Sequence, residues 1–186
     1  MSKMFTSIEP DLRAFIERQH IFFVGSATSE SRVNISPKGL DALRVLGPNR
    51  VVYLDHTGSG SETSAHLKAD GRLTIMFCAF EGPPLILRLY GRGAVIQRGS
   101  DEYAQLLADE FGGVEPAGAR QMVVLDIDLV QTSCGYAVPN FEYRQERAGL
   151  TRWAESQGEE GLDAYRRQKN MVSIDGLPTG LFDAAE

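Results

Sequence analysis

Residues 71–97 read GRLTIMFCAFEGPPLILRLYGRGAVIQ. This stretch contains two runs rich in β-branched, aromatic and aliphatic residues, 73–80 and 85–97, on either side of the turn residues 81–84. Such a pattern predicts two long neighbouring strands joined by a tight connection. Gly91 and Gly93 interrupt the second run, and glycine inside a strand usually marks a bulge or the close approach of another backbone.

Four further segments have the character of strands, and they lie at 21–27, 32–37, 50–54 and 122–133. The connections between the first three are too short for helical crossovers, which indicates antiparallel pairing. Helices are predicted after Pro10, over 62–69, and after a cap at Ser100. Six mostly antiparallel strands with peripheral helices favour a mainly β (α+β) fold and a closed or partly closed barrel, because closure removes exposed strand edges.

The chain changes character near residue 140. Two polar helices are predicted near 144–157 and 159–168, followed by a tail at 170–178 that contains Gly and Pro. We therefore expect a barrel domain over 1–140 and a C-terminal helical extension with a tail over 141–186, packed on the barrel. Arg152, Trp153 and the tail either cover a pocket or brace the fold.

The composition excludes several classes of function. The chain has 186 residues, of which 42% are hydrophobic, and a net charge of −6 from 19 basic and 25 acidic residues. It lacks the clustered Lys and Arg that attract nucleic acid or an anionic membrane, and it has no apolar stretch of about 18–20 residues. We expect a cytoplasmic protein whose partners are small molecules, either a substrate or an electron donor.

The cysteines and histidines predict no metal site. Cys78 and Cys134 stand in dissimilar contexts without metal-binding spacing, and the three histidines show no HExxH pattern. A reducing compartment suits these two thiols, which we expect to be unpaired.

Two segments offer groups that bind polar ligands. Residues 32–39, RVNISPKG, end a strand with amide, hydroxyl and ammonium groups, although a plain edge strand with a solvated lysine has the same pattern. Residues 57–64, TGSGSETS, lead into a helix start, where free N–H groups and the helix dipole favour an anion. A flexible linker with a helix cap is the simpler interpretation of this second segment.

The order of these segments resembles the pyridoxamine 5′-phosphate oxidase family, the flavin-binding split β-barrels. The resemblance covers about residues 8–135 and is carried by VNISP at 33–37, VYLD at 52–55, the polar turn at 59–64, GRLTIMF at 71–77 and RLYGRGAV at 88–95. Residues 133–139 and 173–178 look like a branch of this superfamily that departs from the classical oxidases. The resemblance implies a six-stranded antiparallel split β-barrel and a homodimer that holds riboflavin 5′-phosphate (FMN) between its subunits.

The resemblance also implies a set of cofactor-binding residues. The strand 34–38 would lie along the flavin ring, 53–55 would line the adjacent strand, and 61–64 would face the phosphate. The expected residues are Asn34, Ile35, Ser36, Pro37, Lys38, Tyr53, Leu54, Asp55, Ser61, Thr63, Ser64 and Arg88.

Glu62 departs from the family pattern, because the oxidases place basic side chains at the start of this helix. Two unit charges about 4 Å apart interact by about 4 kcal/mol at an effective dielectric of about 20, so a carboxylate facing the phosphate would oppose binding. The spacing of Ser59 and Glu62 is that of a capping box, which would turn the carboxylate towards the Ser59 amide. Lys38, Arg32 or Arg88 would then supply the countercharge.

These observations predict an FMN-dependent oxidoreductase of unknown small-molecule substrate. The C-terminal substrate-binding pattern of the oxidases is not recognisable, so we do not expect oxidation of pyridoxamine phosphate, and no catalytic acid or base is identified. The alternative is a non-enzymatic split barrel that binds flavin or another small ligand, or that has lost the cofactor. Glu62 is the feature that favours this alternative.

Overall fold

Eight antiparallel strands form a single sheet in the computed structural model, which describes residues 2–183. The strands are β1 (Lys3–Phe5), β2 (Phe22–Ser26), β3 (Asn34–Lys38), β4 (Leu43–Gly47), β5 (Arg50–His56), β6 (Arg72–Cys78), β7 (Ile86–Gln97) and β8 (Ala119–Ser133). The helices are α1 (Pro10–Ile16), α2 (Glu62–Ala69), α3 (Asp101–Glu110) and α4 (Gly149–Lys169). The predicted antiparallel, mainly β class is confirmed. The sheet has two more strands than the expected six: β1, which has only three residues, and β4, which is as long as β2 and β3 but was not predicted.

The two longest strands, β7 and β8, form the middle of the sheet. Its order is β3-β2-β6-β7-β8-β5-β4, and β1 pairs with the end of β8 on the side opposite β7. The register of β7 against β8 shifts between Tyr90 and Gly91, which confirms the bulge expected from the sequence. A Cβ atom on Gly91 would lie 1.9 Å from the carbonyl oxygen of Asp126, so only glycine permits this close approach of the two backbones.

The sheet curls until its edge strand β3 approaches β5. Lys38 in the edge strand β3 forms an ion pair with Asp55 in β5, with 2.9 Å between Nζ and Oδ1. No backbone ladder joins β3 to β5 in the described residues, so the barrel is split along this line. The enclosed side chains form the main core, in which Val24, Ile75 and Leu125 are fully shielded from solvent.

A second apolar layer lies on the other face of the sheet. Val52 and Leu54 of β5 pack there with Met122 and Val124 of β8 and with Tyr103 of α3. Because successive side chains of a strand point to opposite faces, Leu54 belongs to this layer while its neighbours Tyr53 and Asp55 point into the barrel. The two layers together fix the orientation of β5.

The C-terminal extension packs against the barrel through α4. This helix is interrupted at Gly158, where φ is 62°, which agrees with the expected break between two helices, although the first one begins at Gly149 rather than near 144. Arg166 is buried and donates hydrogen bonds to Thr57 Oγ1 and to the carbonyl oxygen of Ala119, both at 2.9 Å. The expected extension reaches residue 186, and its last three positions lie outside the described residues.

Two further observations bear on the general class. Both cysteines are free thiols, with Cys78 buried in β6 and Cys134 exposed after β8. Among residues 2–183, no helix combines the length and the apolar character that crossing a bilayer requires.

Replacing Gly91 should disrupt the β7–β8 pairing. In Gly91→Ala, the new methyl group would overlap the backbone of Asp126, so we expect the free energy of unfolding to fall by more than about 3 kcal/mol, or the protein to fail to fold. Gly149→Ala is the matched control, since a Cβ there meets nothing within 4 Å, and it should change stability by less than about 0.5 kcal/mol. Urea denaturation compares the two variants, and equal stability would contradict the close approach.

Candidate functional site

A buried carboxylate, that of Asp55, organises the polar groups where the split barrel closes. Asp55 is 3% exposed and accepts a hydrogen bond from Lys38 of β3. Its other oxygen, Oδ2, accepts from Arg120 Nη2 at 2.6 Å and Nε at 3.1 Å, and from Gln121 Nε2 at 3.0 Å. Arg120 and Gln121 begin β8, so this one carboxylate connects β3, β5 and β8.

The charges of this cluster decide which groups ionise. Burial alone would raise the pKa of Asp55, but Arg120 and Lys38 outweigh burial and hold that pKa well below its usual range. Asp55 is therefore an anion with two cationic partners. Burial raises the pKa of Tyr53 well above its ordinary value, and the nearby Asp55 charge raises it further. The Tyr53 phenol consequently keeps its proton and remains a hydrogen-bond donor.

The start of α2 lies against the same cluster. Ser61 is the residue before the helix, and its Oγ is 3.0 Å from Oγ of Ser64. Ser64 Oγ also accepts a short hydrogen bond from Gln121 Nε2, and Thr63 Oγ1 accepts one from Asn34 Nδ2 at 3.2 Å. The first turn of α2 is thus joined to both β8 and β3.

Glu62 does not form the predicted capping box. The helix begins at Glu62, so Ser61 rather than Ser59 is the residue before it, and no side chain of the described residues caps it. Both carboxylate oxygens of Glu62 instead accept from the backbone N–H of Ile174, each at 3.1 Å. The capping interpretation is wrong because the C-terminal tail supplies the donor that the Ser59 amide was expected to provide.

The C-terminal tail is an integral part of the site. Asn170 is fully buried, accepts from Arg120 Nη1 at 2.8 Å and donates to the carbonyl oxygen of Gly58 at 3.1 Å. Farther along, Asp175 accepts from the backbone N–H and the guanidinium of Arg32, just before β3. The tail therefore contacts the segment before α2, the start of β8 and the start of β3.

The structure brings together most of the residues predicted from the sequence. Around Asp55 and the start of α2 it gathers Asn34, Lys38, Tyr53, Asp55, Ser61, Thr63 and Ser64, and Ser36 lies on the same face of β3. Ile35 is exposed on the opposite face, as is Pro37, and Leu54 packs towards α3. Arg88 donates to Ser133 at 3.3 Å and is not among the contacts of this cluster.

Three residues of the cluster were not predicted, namely Arg120, Gln121 and Asn170. A basic residue at the start of a strand is ordinarily solvent-exposed, and a lone asparagine after a helix usually serves as a cap. Their role follows only from the tertiary structure, in which Gln121 pairs with Asp55 across β5 and β8.

Comparisons with known proteins identify the family. The family model described as pyridoxamine 5′-phosphate oxidase matches residues 8–134 of the chain. The chain belongs to the pyridoxamine 5′-phosphate oxidase family. A family relative from Aspergillus flavus, the pyridoxamine 5′-phosphate oxidase family protein ustO, is 40% identical over 202 residues, which span 99% of this chain and 80% of the relative.

Solved structures of low sequence identity share the fold. HupZ of Group A Streptococcus is 18% identical, with a TM-score of 0.53 over 66% of this chain and 91% of its own. A Lactobacillus delbrueckii protein is 17% identical, with a TM-score of 0.52 over 68% of this chain and 94% of its own. Both similarities support the split-barrel fold described above for this chain.

The residues present suit the polar edge of the flavin that this family implies. An isoalloxazine ring presents carbonyl oxygens and an N–H group, which need donors and acceptors close together. Three buried polar atoms lack partners among the described residues: the Tyr53 hydroxyl, Gln121 Oε1 and His66 Nε2. Tyr53 and Gln121 belong to the Asp55 cluster, and a buried polar group without a partner is costly, so the cluster has unused capacity for a polar ligand.

The phosphate end of such a ligand would meet a different environment. The carboxylate of Glu62 lies at the start of α2, and that of Asp175 lies at the start of β3. Arg32, which forms an ion pair with Asp175, is the cation beside them. The hydroxyls of Thr63 and Ser64 and the free N–H groups of the helix start suit an anion. The fit is therefore good at the ring end, whereas at the phosphate end it depends on where the tail lies.

A large cavity lies beyond the end of β3. Its volume is about 1530 Å³, and its walls come from α1 and the residues after it, from Gly39 and Leu40, from the turn 80–85 and from the segment 141–150. Tyr143 closes part of it by stacking on His20, with ring centroids 3.6 Å apart, and its N–H donates to Glu81. None of the predicted cofactor-binding residues lines this cavity, and sequence reasoning did not find it.

Asp55 should stabilise the fold through its charge. We expect Asp55→Asn to lower the free energy of unfolding at pH 7 by about 3–5 kcal/mol, because Arg120 would remain buried without its counterion. The exposed Asp128 supplies the control variant, Asp128→Asn, which should change stability by less than about 0.5 kcal/mol.

The same variants predict a pH dependence. A carboxyl whose pKa is lower in the folded than in the unfolded state stabilises the fold above the unfolded pKa, about 4, and this contribution is lost as the pH falls further. Urea denaturation at pH 7, 5 and 3 should therefore show a smaller loss of stability on acidification in Asp55→Asn than in the unmodified protein. An unchanged acid dependence would contradict this assignment.

Proposed function

We propose that this protein binds FMN where β3, β5 and α2 meet and acts as an FMN-dependent oxidoreductase on a small molecule. The observation that carries the proposal is the convergence of amide, hydroxyl and ammonium groups around Asp55, including the buried hydroxyl of Tyr53, which has no hydrogen-bond partner among residues 2–183. Membership of the pyridoxamine 5′-phosphate oxidase family supports a flavin as the ligand. We also propose that the protein is cytoplasmic and uses a small-molecule substrate or electron donor.

The orientation of the bound flavin can be inferred from Lys38, Arg32 and Arg88, the three cations expected to balance the charge of its phosphate. Lys38 is paired with Asp55, and Arg88 contacts Ser133, whereas Arg32 lies at the end of β3 that is nearest to Thr63 and Glu62. Of the three, Arg32 is therefore best placed for the phosphate. The ring would then extend along β3 towards Lys38 and Tyr53.

When bound, FMN supplies the redox chemistry, since its ring accepts and donates electrons. The protein's own groups bind and orient the ring. Lys38 keeps its position because it is ion-paired with Asp55, and the protonated Tyr53 can donate to a carbonyl oxygen of the ligand. Arg120 and Gln121 hold the Asp55 carboxylate from the other side, so the ring end of the site is organised before the ligand arrives.

A non-enzymatic barrel is the second candidate, and a specific observation favours it. Two carboxylates, Glu62 and Asp175, lie at the end of the site that would face the phosphate. A protein that retains them there is suited to a ligand without a dianionic group, or to no cofactor. Absence of FMN binding would favour this candidate.

We propose that the chain forms a symmetric homodimer through β3. This strand turns Asn34, Ser36 and Lys38 inwards and leaves Ile35 outside, 68% exposed, and Val33 just before the strand is 71% exposed. An edge strand that faces solvent usually shows the opposite polarity. A second copy of the chain would cover this apolar face beside the flavin site.

Removing the Arg32 guanidinium should separate FMN from riboflavin. Arg32→Ala should weaken FMN at least tenfold, the equivalent of about 1.4 kcal/mol, and leave riboflavin nearly unchanged, because only FMN has a phosphate. Arg13→Ala is the matched control, since Arg13 is an exposed arginine of α1 whose partner Glu17 lies one helical turn away. Fluorescence titration measures both affinities. Equal weakening of both flavins would refute the orientation, and no binding of either by the unmodified protein would refute the proposed function.

A charge on the outer face of β3 should prevent dimerisation. Ile35→Lys is expected to shift the molar mass in solution from two chains to one, because burying an unpaired ammonium at an interface is unfavourable. Val114→Lys is the control, since Val114 is 77% exposed in a loop away from β3. Light scattering at micromolar concentration distinguishes the outcomes, and a monomeric unmodified protein would refute the dimer.

A further inference from the structure

The segment 172–178 forms a small hairpin, here named the C-terminal hairpin. Val172 and Pro178 pair in an antiparallel bridge, and the Ser173 N–H donates to the carbonyl oxygen of Leu177 at 2.8 Å. At the turn, Gly176 has a φ of 80° and donates to the carbonyl oxygen of Ser173 at 3.0 Å. These contacts are internal to the hairpin, so it can move as a unit without losing its own shape.

The tip of the hairpin attaches to the site through polar contacts. Ile174 donates its N–H to Glu62, and Asp175 accepts from the N–H of Arg32 at 2.8 Å and from its guanidinium. The backbone N–H of Arg32 holds the pKa of Asp175 below its usual range, and the charge of Arg32 lowers it further, so the carboxylate is ionised near neutral pH. Asp175 thus provides an anion at the start of β3.

Buried groups hold the base of the hairpin, whereas its tip is held by the polar contacts to Glu62 and Arg32. Asn170 is fully buried on one side of it, and Thr179, 2% exposed on the other side, donates to the carbonyl oxygen of Asn170 at 2.7 Å. The apolar side chains of Ile174 and Val172 are 73% and 55% exposed, whereas Ser173 is 4% exposed and the Asp175 side chain is 15% exposed. Segments with little buried apolar surface open at low free energy. The tip can therefore detach while the base remains in place.

We infer that the C-terminal hairpin is a latch over the phosphate end of the flavin site, in which Asp175 competes with the phosphate of an incoming ligand for Arg32. This inference rests on the proposed function for the location of the phosphate. A guanidinium that is already bound to a carboxylate has fewer donors left for a phosphate, and the two anions repel each other. Binding of a phosphate-bearing ligand therefore favours release of the hairpin tip.

The latch gives Glu62 a role as well. While the hairpin is closed, the N–H of Ile174 satisfies the Glu62 carboxylate at the start of α2. When the tip leaves, Glu62 loses this donor and is free to turn towards solvent, so the helix start becomes accessible to the phosphate. Riboflavin has no phosphate and no means of displacing Asp175, so the latch discriminates between phosphorylated and unphosphorylated ligands.

The first test compares association rates. Asp175→Asn should increase the association rate of FMN by about tenfold and leave that of riboflavin unchanged, because the variant lacks the competing charge. Asp163→Asn is the matched control, since Asp163 also pairs with an arginine on the protein surface but lies on α4. Stopped-flow fluorescence provides the rates. An equal change for both flavins, or slower FMN association, would show that the hairpin is only a structural brace.

The second test observes the hairpin itself in the unmodified protein, so it does not depend on the folding of a variant. Hydrogen exchange of residues 172–178 should become faster with saturating FMN or inorganic pyrophosphate, but not with riboflavin. Arg32→Ala should abolish the response to pyrophosphate. Slower exchange with FMN would overturn the latch, because it would mean that the hairpin closes over the phosphate.

The pyrophosphate arm separates failure of the latch from failure of the proposed function. If neither flavin binds but pyrophosphate accelerates exchange through Arg32, the latch stands and the FMN proposal fails. If FMN binds and no phosphate-bearing probe accelerates exchange in the hairpin, the FMN proposal stands and the latch is refuted. If nothing binds and nothing changes, both are refuted.

Discussion

The buried charge of Asp55 is the constraint on which the rest of the site depends. One carboxylate, 3% exposed, is shared by a lysine of β3 and by an arginine and a glutamine of β8. Because an ionised group is very unfavourable inside a protein without compensation, each of these partners is held where it can reach the carboxylate. The ion pair to Lys38 joins the edge strand β3 to β5, so the same interaction closes the barrel and arranges the polar groups.

The cation that balances Asp55 also determines where the C-terminal extension packs. Arg120 also donates hydrogen bonds to the carbonyl oxygen of Gly60 and to Asn170. Asn170 donates to the carbonyl oxygen of Gly58. Arg166 in α4 reaches Thr57 in the same connecting segment. The segment between β5 and α2 is therefore held by the extension. Because residues 57–61 lead directly into the start of α2, the barrel and the extension jointly position the face that would meet a ligand.

The fold was largely predictable because its decisive signals are local. The alternation over 73–80 and 85–97 indicates the pairing of neighbouring strands, and Gly91 inside the second run marks the bulge. The site was predictable only where the chain follows the family pattern, as in 34–38 and 61–64. Arg120 and Asn170 could not be found this way, because their role arises from contacts 50 residues or more apart in the sequence.

The failed capping box shows why a local motif can mislead in the same chain. Ser59 and Glu62 have the right spacing, but a capping box forms only when no better donor competes for the carboxylate. Here the N–H of Ile174, 112 residues away, takes both oxygens of Glu62. A tertiary contact thus replaces a local one, and no window of sequence around α2 contains that information.

The balance of charge explains how the proposed site can contain three carboxylates and still suit an anion. With the hairpin closed, three cations, Lys38, Arg120 and Arg32, face three anions, Asp55, Glu62 and Asp175. A dianionic phosphate entering this neutral arrangement would gain little attraction. Asp55 cannot leave, because it is buried and fully engaged, whereas Asp175 lies on a segment with an exposed tip. Removing that one carboxylate leaves a net positive charge beside the start of α2. The position of the hairpin, rather than the identity of residue 62 alone, therefore determines whether this end of the site attracts a phosphate.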